Sequence, residues 1–228
     1  MLPGNPILLT TLEQEVEEVE GRLSHALDEL RPPLGELVRS QLSEMLSRAR
    51  VGTILAGGYG RPDTAQLQEQ RILLAAALEM LFLALHIHKL LLQRSDDKHE
   101  QSMDRSWMGS IILAGDYCFS RAASLVAQTN EPQAVAQFAD GLENANEGHL
   151  RRLFQNEAAD FAEESELIDA GLKTATRLAG LTTAEQARCV ESGRALRQNA
   201  PITLQDVPAH QVERWRQAQA LADESRGR

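Results

Sequence analysis

The sequence predicts an all-α chain, folded as a single helical bundle of about eight helices. Apolar residues recur at spacings of three and four along most of its 228 residues, which is the period of an amphipathic helix. Glycine and proline gather at the junctions between these segments, and the alternating β-branched pattern of a strand is almost missing. No linker or low-complexity run divides the chain, so we expect one domain over residues 1–228.

The first 50 residues predict two amphipathic helices. Thr10 or Thr11 can cap the first helix, and Pro32-Pro33 ends it before the second, which runs from Leu34 to Ala49. A glycine-rich loop follows over residues 51–64 and is predicted to be flexible. The apolar line of the first helix is Leu12, Val16, Val19, Leu23, Leu27 and Leu30.

The dominant segment of the chain is ILLAAALEMLFLALHIHKLLL, residues 72–92, in a helix that begins near Ala65. It is apolar on every side, as expected of a helix in the middle of a core. Either this chain wraps it completely or a partner covers one of its faces. Its length would cross a bilayer, but Glu79 near the centre argues against a transmembrane segment.

The rest of the sequence continues the helical pattern. A charged loop over residues 93–105 separates the dominant segment from a second strongly apolar helix. The further helices are predicted at residues 106–128, 132–154, 159–179, 183–198 (capped by Thr183) and 210–222, the last within a C-terminal tail and helix over residues 199–228.

Composition narrows the possible functions. The net charge of −10 and the pI near 5.1 disfavour binding to nucleic acid or to an anionic membrane. No signal-peptide pattern opens the chain, and the two cysteines, Cys118 and Cys189, lie inside helical patterns. We therefore expect a cytoplasmic protein with buried, reduced thiols.

Three segments carry a family resemblance by their order and spacing. They read AAALEMLFLALHIHKLLLQ, SIILAGDYCFSRAASLVAQ and FADGLENANEGHLRRLF. The first resembles the A-A-A-L-E-L-I-H-x-A-x-L-I-H-D-D helix of the trans-polyprenyl diphosphate synthases, and the second resembles their I-L-A-G-D-Y-x-x-x-R-A segment. Residues 57–62 are similar to a shortened G-G-K-R-L-R-P loop, with Arg61 as its remaining cation. The resemblance covers Leu55–Gln198, the core over residues 65–198 included, and implies a truncated isoprenoid synthase (terpenoid synthase) fold.

The chain departs from this family where the chemistry would take place. The family's aspartates hold magnesium against the diphosphate, and on this chain they correspond to Lys89, Leu90 and Gln93. The family's Lys-Thr pair corresponds to Glu163-Glu164, and its second aspartate-rich motif falls in residues 200–205. The resemblance therefore implies a pseudoenzyme with no catalytic residue, metal or cofactor of its own; a catalytic partner would bind the magnesium.

These departures are similar to those of the non-catalytic small subunits of heterodimeric hexaprenyl and heptaprenyl diphosphate synthases. The first hypothesis is a subunit that dimerises with a catalytic prenyl diphosphate synthase and influences chain length. The second is a stand-alone homodimer that binds an isoprenoid chain or another protein. An enzyme that uses Asp96-Asp97 or Asp206 is the weakest reading. The candidate tunnel or dimer residues are Phe82, Leu83, Ala84, Ile87, His88, Ile112, Asp116 and Phe119.

Several polar residues have a structural interpretation as well. We expect His88 to be a hydrogen-bonded core residue and Asp116 to be buried in mid-helix beside a partner. His86 and His88 diverge by about 200° around a helix, so they cannot chelate one ion together. Whether the family's cavity is open or filled does not follow from the sequence.

Overall fold

The structure, a computed structural model, describes residues 10–93, 105–155 and 163–226. Over these residues the chain forms α-helices and no strand, which confirms the predicted all-α bundle, with nine helices where about eight were expected. The helices are α1 (Leu12–Ala26), α2 (Leu34–Met45), α3 (Arg48–Gly57), α4 (Ala65–Gln93), α5 (Arg105–Ala127), α6 (Pro132–Gln155), α7 (Glu163–Leu178), α8 (Thr183–Arg197) and α9 (Val212–Arg226).

Helix α3 contradicts the predicted glycine-rich loop over residues 51–64. Residues 51–57 are helical and buried, and Ser47 caps the helix by accepting a hydrogen bond from the backbone N–H of Arg50. The glycines serve close packing here, because a Cβ on Gly57 would collide with Leu172 of α7. Only residues 58–64 remain as the irregular connection to α4.

Helix boundaries agree with the sequence where a side chain caps the helix. Thr11 caps α1 in a capping box with Gln14, as predicted. Helix α8 is capped by Thr182, one residue before the predicted Thr183, because Glu185 completes the capping box at that position. The charged loop was predicted over residues 93–105; its end residues belong to α4 and α5, and residues 94–104 lie outside the described residues, as do the first residues of the predicted 159–179 helix.

Helix α4 runs through the middle of the bundle and contacts α1, α2, α3, α5 and α7. Its residues 71–84 are all buried, so the chain itself covers this part of the apolar segment. Residues Ala65–Leu91 meet the length and composition of a membrane span, but 78% of that apolar window is buried inside the bundle. A core helix meets the same criteria, so this is weak evidence for a span.

A buried network of charges links α1, α4 and α9. Arg71 of α4 is fully buried and donates to Glu15 of α1 (Nε to Oε2, 2.9 Å; Nη2 to Oε1, 2.6 Å) and to Asp63. Arg214 of α9 donates to the same Glu15 oxygen at 3.0 Å and to the Thr10 carbonyl at 2.7 Å. Each buried charge therefore has a partner of opposite sign, which offsets the cost of removing it from water.

We expect Arg71→Met to lower the free energy of unfolding by about 3–5 kcal/mol, because it leaves Glu15 and Asp63 buried without their main cation. Urea denaturation measures this. Arg22→Met is the matched control, since its pairs with Glu18 and Glu69 lie at the surface, partly exposed to solvent, and are worth about 0–1 kcal/mol. Equal losses in the two variants would contradict the role given to the network.

Candidate functional site

A second buried ion pair lies between α3 and α4. Arg50 donates to Glu79 through Nε (2.6 Å to Oε1) and Nη2 (2.7 Å to Oε2). Its Nη2 also donates to the Met45 carbonyl at 3.1 Å, and its guanidinium lies 4.3 Å from the centre of the Phe82 ring. The acid that interrupts the apolar segment is thus neutralised within the chain.

Burial and charge act against each other in this pair. Burial raises the pKa of the Glu79 carboxyl, and the Arg50 guanidinium offsets part of that rise. Burial also disfavours the charged form of Arg50, but the Glu79 and Glu164 carboxylates together outweigh it and raise the pKa of Arg50. The arginine therefore stays charged and holds Glu79 as its counterion.

A cavity of about 220 Å³ lies beside this pair, between α3, α7, α8 and α9. We call it the Arg50 cavity; it is lined by side chains that include Arg50, Glu164, Ile168 and Arg197. Glu164 accepts a hydrogen bond from Arg50 Nη1 at 2.9 Å. The Glu164 carboxylate therefore faces this cavity.

The space between α4, α6 and α7 is closed by side chains. The cavity there measures about 10 Å³, about the smallest space that accepts one water molecule. Leu78 fills it from α4, and Gly171 of α7 makes room for it, because a Cβ on Gly171 would collide with the Leu78 side chain. This part of the interior therefore holds no isoprenoid chain.

The predicted tunnel residues of α4 belong to the packed core. Phe82, Leu83, Ala84 and Ile87 are all buried. Beyond them the helix emerges toward its C-terminal end, where Lys89 and Leu90 are half-buried and Gln93 is the last helical residue. Arg61, the predicted remnant of the diphosphate loop, is exposed between α3 and α4, and it is not among the residues that line the Arg50 cavity.

Two predicted burial states are wrong. Asp116 is 64% exposed at its side chain, because the α5 surface that packs on the bundle is formed by Ala114 and Cys118 on either side of it. His88 is half-exposed rather than a core residue, and its ring lies over Gly115, where a Cβ would collide with it. The two side chains do meet, with His88 Nε2 3.4 Å from Asp116 Oδ1.

Among the described residues, the large apolar side chains that are exposed all lie on α5, except Val135 of α6. Ile112, a predicted interface residue, is exposed, and Leu113 is 64% exposed. Phe119, also predicted, is half-buried two turns further along. Leu113 was not among the predicted interface residues; its signal is the run Ile111-Ile112-Leu113, which places apolar residues on both faces of one helix. The outer face of α5, as we define it, consists of Met108, Ile112 and Leu113.

The described residues offer no metal centre. They contain no group of three or more His, Cys, Asp or Glu side chains placed to hold an ion. Lys89 and Leu90 supply none of the oxygen ligands that magnesium prefers, so these positions do not fit the metal that the family resemblance implies. Asp96 and Asp97, the alternative metal ligands in the sequence, lie outside the described residues.

Both cysteines are free thiols in the core. Cys118 of α5 and Cys189 of α8 are buried, and Cys189 Sγ lies 3.4 Å from Gln211 Oε1. Burial raises the pKa of each thiol to about 12. Neither has the depressed pKa of a nucleophilic cysteine, which agrees with the structural role expected from the sequence.

Comparison of the whole fold with solved structures identifies its class. The heptaprenyl diphosphate synthase from Staphylococcus aureus is similar with a TM-score of 0.63 and 16% identity, over 82% of this chain and 62% of that one. The decaprenyl diphosphate synthase from Rhodobacter capsulatus is similar with a TM-score of 0.62 and 20% identity, over 81% of this chain and 60% of that one. This chain has the isoprenoid synthase fold. An isoprenoid synthase family member from Thermotoga neapolitana matches with a TM-score of 0.62 and 19% identity, over 92% of this chain and 89% of that one.

These likenesses confirm the fold that the sequence resemblance implied. No protein-family model and no curated protein sequence matches the chain. Because the sequence identities are 20% or less, the likeness shows a shared fold and nothing further. The chain spans about three fifths of the length of the heptaprenyl and decaprenyl synthases, so their activities do not transfer to it directly.

We expect Leu78→Ala to lower the free energy of unfolding by about 2–5 kcal/mol, because it opens a cavity that α6 and α7 cannot refill. The enlarged cavity should also accept a small apolar ligand such as benzene, detected as a rise in the melting temperature of the variant alone. Leu113→Ala, on the exposed side of α5, should change stability by no more than about 0.5 kcal/mol. A mild effect of Leu78→Ala would show that the interior is loosely packed.

We expect neither cysteine to react with a thiol reagent such as DTNB in the native protein at pH 8. Both lie in the core with a pKa of about 12, so almost no thiolate is present or accessible. Unfolding in guanidinium chloride should release two reactive thiols per chain. Rapid reaction of one thiol in the native protein would contradict the burial described for it.

Proposed function

We propose that this chain is a non-catalytic, polyprenyl-synthase-like subunit that dimerises with a catalytic prenyl diphosphate synthase subunit and influences the length of its isoprenoid product. The observation that carries the proposal is the outer face of α5, an exposed apolar surface on a bundle with the isoprenoid synthase fold. The family that the sequence resembles dimerises through helices of this region. We place such a pair in the cytoplasm.

The residues at the end of α4 support a non-catalytic role. Ionisation of an allylic diphosphate requires divalent metal to neutralise the departing pyrophosphate. A cation at Lys89 and an apolar side chain at Leu90 oppose metal binding at the positions that the resemblance assigns to aspartates. Under this proposal the catalytic partner binds the magnesium, and this chain contributes no reacting group.

The outer face of α5 has the chemistry of an interface. Soluble monomers rarely expose large contiguous apolar patches, and burial of apolar surface on a partner contributes about 25 cal/mol per Å². Gly109 lies on the same helix with open space where a Cβ would stand, so a partner helix can approach closely there. Ile112, Asp116 and Phe119 would then contact the partner, as the sequence proposed.

The alternative is a homodimer without catalysis, joined through the same face. The closed interior between α4, α6 and α7 disfavours storage of an isoprenoid chain in that space. The alternative is therefore a homodimer that binds another protein or only itself. Its distinguishing property is that a catalytic subunit does not displace the second copy.

The test is co-expression with an aspartate-rich prenyl diphosphate synthase subunit of the same organism, followed by purification and a product-length assay with magnesium. We expect the two chains to co-purify, the product length to change, and this chain alone to transfer no prenyl group. Ile112→Asp with Leu113→Asp should weaken the pairing at least tenfold, because it places charges in an apolar interface. Thermal denaturation of the isolated chain should be unchanged, since both side chains are exposed.

Val135→Asp is the matched control, because Val135 is an exposed apolar residue on α6 outside the outer face of α5. It should leave the pairing intact. A lone homodimer that does not alter the partner's product would overturn the subunit proposal and favour self-pairing. Magnesium-dependent turnover by the purified chain would overturn its non-catalytic character.

A further inference from the structure

The Arg50 cavity is lined by an unusual number of positively charged side chains. Three guanidinium groups line it, from Arg50 of α3, Arg197 of α8 and Arg226 of α9, and Glu164 is the carboxylate among its lining residues. Its volume of about 220 Å³ is many times the roughly 10–15 Å³ that accepts one water molecule. The cavity can therefore hold a small polyatomic ion.

The Arg50 guanidinium divides its donors between the core and this cavity. Its Nε and Nη2 serve Glu79 and the Met45 carbonyl, which are fixed partners on the core side. Its Nη1 donates only to Glu164, whose side chain is 57% exposed at the start of α7. Loss of the Glu164 contact thus leaves Arg50 held in place by Glu79, with one donor aimed into the cavity.

Arg197 supplies a second donor without a hydrogen-bond partner. Its Nη1 is buried and makes no hydrogen bond, and the nearest carboxylate oxygen, Asp169 Oδ1, is 3.7 Å away. The other oxygen of Asp169 accepts from Arg194 Nε at 2.8 Å. Asp169 Oδ1 also makes no hydrogen bond, so this long ion pair leaves the Nη1 donor of Arg197, a residue that lines the cavity, able to accept a closer anionic partner.

The third cation is less restrained. Arg226 stands in the last turn of α9 and pairs with Asp223 at 2.8 Å, one helical turn away, with both side chains part-exposed. Such i,i+3 pairs contribute little and exchange readily with solvent or with another anion. Arg226 can therefore turn toward an anion held by Arg50 and Arg197.

We propose that the Arg50 cavity is a binding site for a small oxyanion and that Glu164 is an internal counterion that keeps it closed. The Glu164 carboxylate occupies, on Arg50 Nη1, the position that an oxygen of a phosphate or sulfate group would take. Guanidinium groups match such oxygens in geometry and charge, and three of them around one cavity favour a multiply charged anion. This inference does not depend on the proposed pairing with a prenyltransferase.

The test compares Glu164→Ala with the unaltered chain, using inorganic pyrophosphate, phosphate and sulfate as probes without magnesium. We expect Glu164→Ala to bind pyrophosphate at least tenfold more tightly than the unaltered chain by titration calorimetry, with a rise in melting temperature on addition of the anion. Tighter binding of pyrophosphate than of phosphate or sulfate would indicate a diphosphate ligand. Equal binding of all three would indicate a general oxyanion site.

Glu166→Ala is the matched control. Glu166 is an exposed acid on the same helix but lines a different cavity, with Asp140 and Lys173, so its loss should leave anion binding as in the unaltered chain. Adding Arg197→Lys to Glu164→Ala should return the affinity toward that of the unaltered chain, because the ammonium group cannot reproduce the guanidinium fork.

Three results would overturn the proposal. Equal binding by the unaltered chain and Glu164→Ala would show that Glu164 does not close the cavity. Absence of binding by a folded Glu164→Ala variant would show that the arginines are structural only. An equal gain in anion affinity from Glu166→Ala and Glu164→Ala would show that the change in net charge alone explains the effect. None of these results bears on co-purification with a catalytic subunit, so the two proposals fail separately.

Discussion

The ion pair between Arg50 and Glu79 is the constraint on which the arrangement of the core depends. Helix α4 is apolar on all sides and must be enclosed, yet it carries a carboxylate at its middle. An isolated buried carboxylate is strongly unfavourable, whereas one that receives two hydrogen bonds from a guanidinium is tolerated. Helix α3 supplies that guanidinium, so its position against α4 is set by electrostatics as much as by apolar contact.

Helix α3 also shows why part of the fold could not be predicted from the sequence. Its glycines have the composition of a turn, and local pattern alone cannot distinguish a flexible glycine from one that admits a neighbouring helix. The long apolar run of α4 and the caps of α1 and α8 were predictable, or nearly so, because their signals are local. The partner of Gly57 is Leu172, more than a hundred residues away, and no local signal reveals it.

The candidate site was predictable to a similar degree. The positions of Lys89 and Leu90 on the last turns of α4 follow from the apolar pattern of residues 72–92, and the sequence resemblance adds their match to the family's aspartates. Asp116 was misplaced because α5 is apolar on two faces, so its periodicity does not identify the buried one. The contact of Glu164 with Arg50 joins residues 114 positions apart, and only the packing of α7 on α3 brings them together. A fold of this kind accommodates several functions, and such side-chain pairs decide among them.

The shared carboxylate of Glu15 has a consequence for the order in which the helices pack during folding. One of the cations that pair with Glu15, Arg214, follows it 199 residues later in the sequence. Contacts between residues so distant in the chain form late, after the intervening loop has been closed. We therefore expect α1 to reach its final surroundings only after α9 has packed against it, which makes this contact one of the last to form in the bundle.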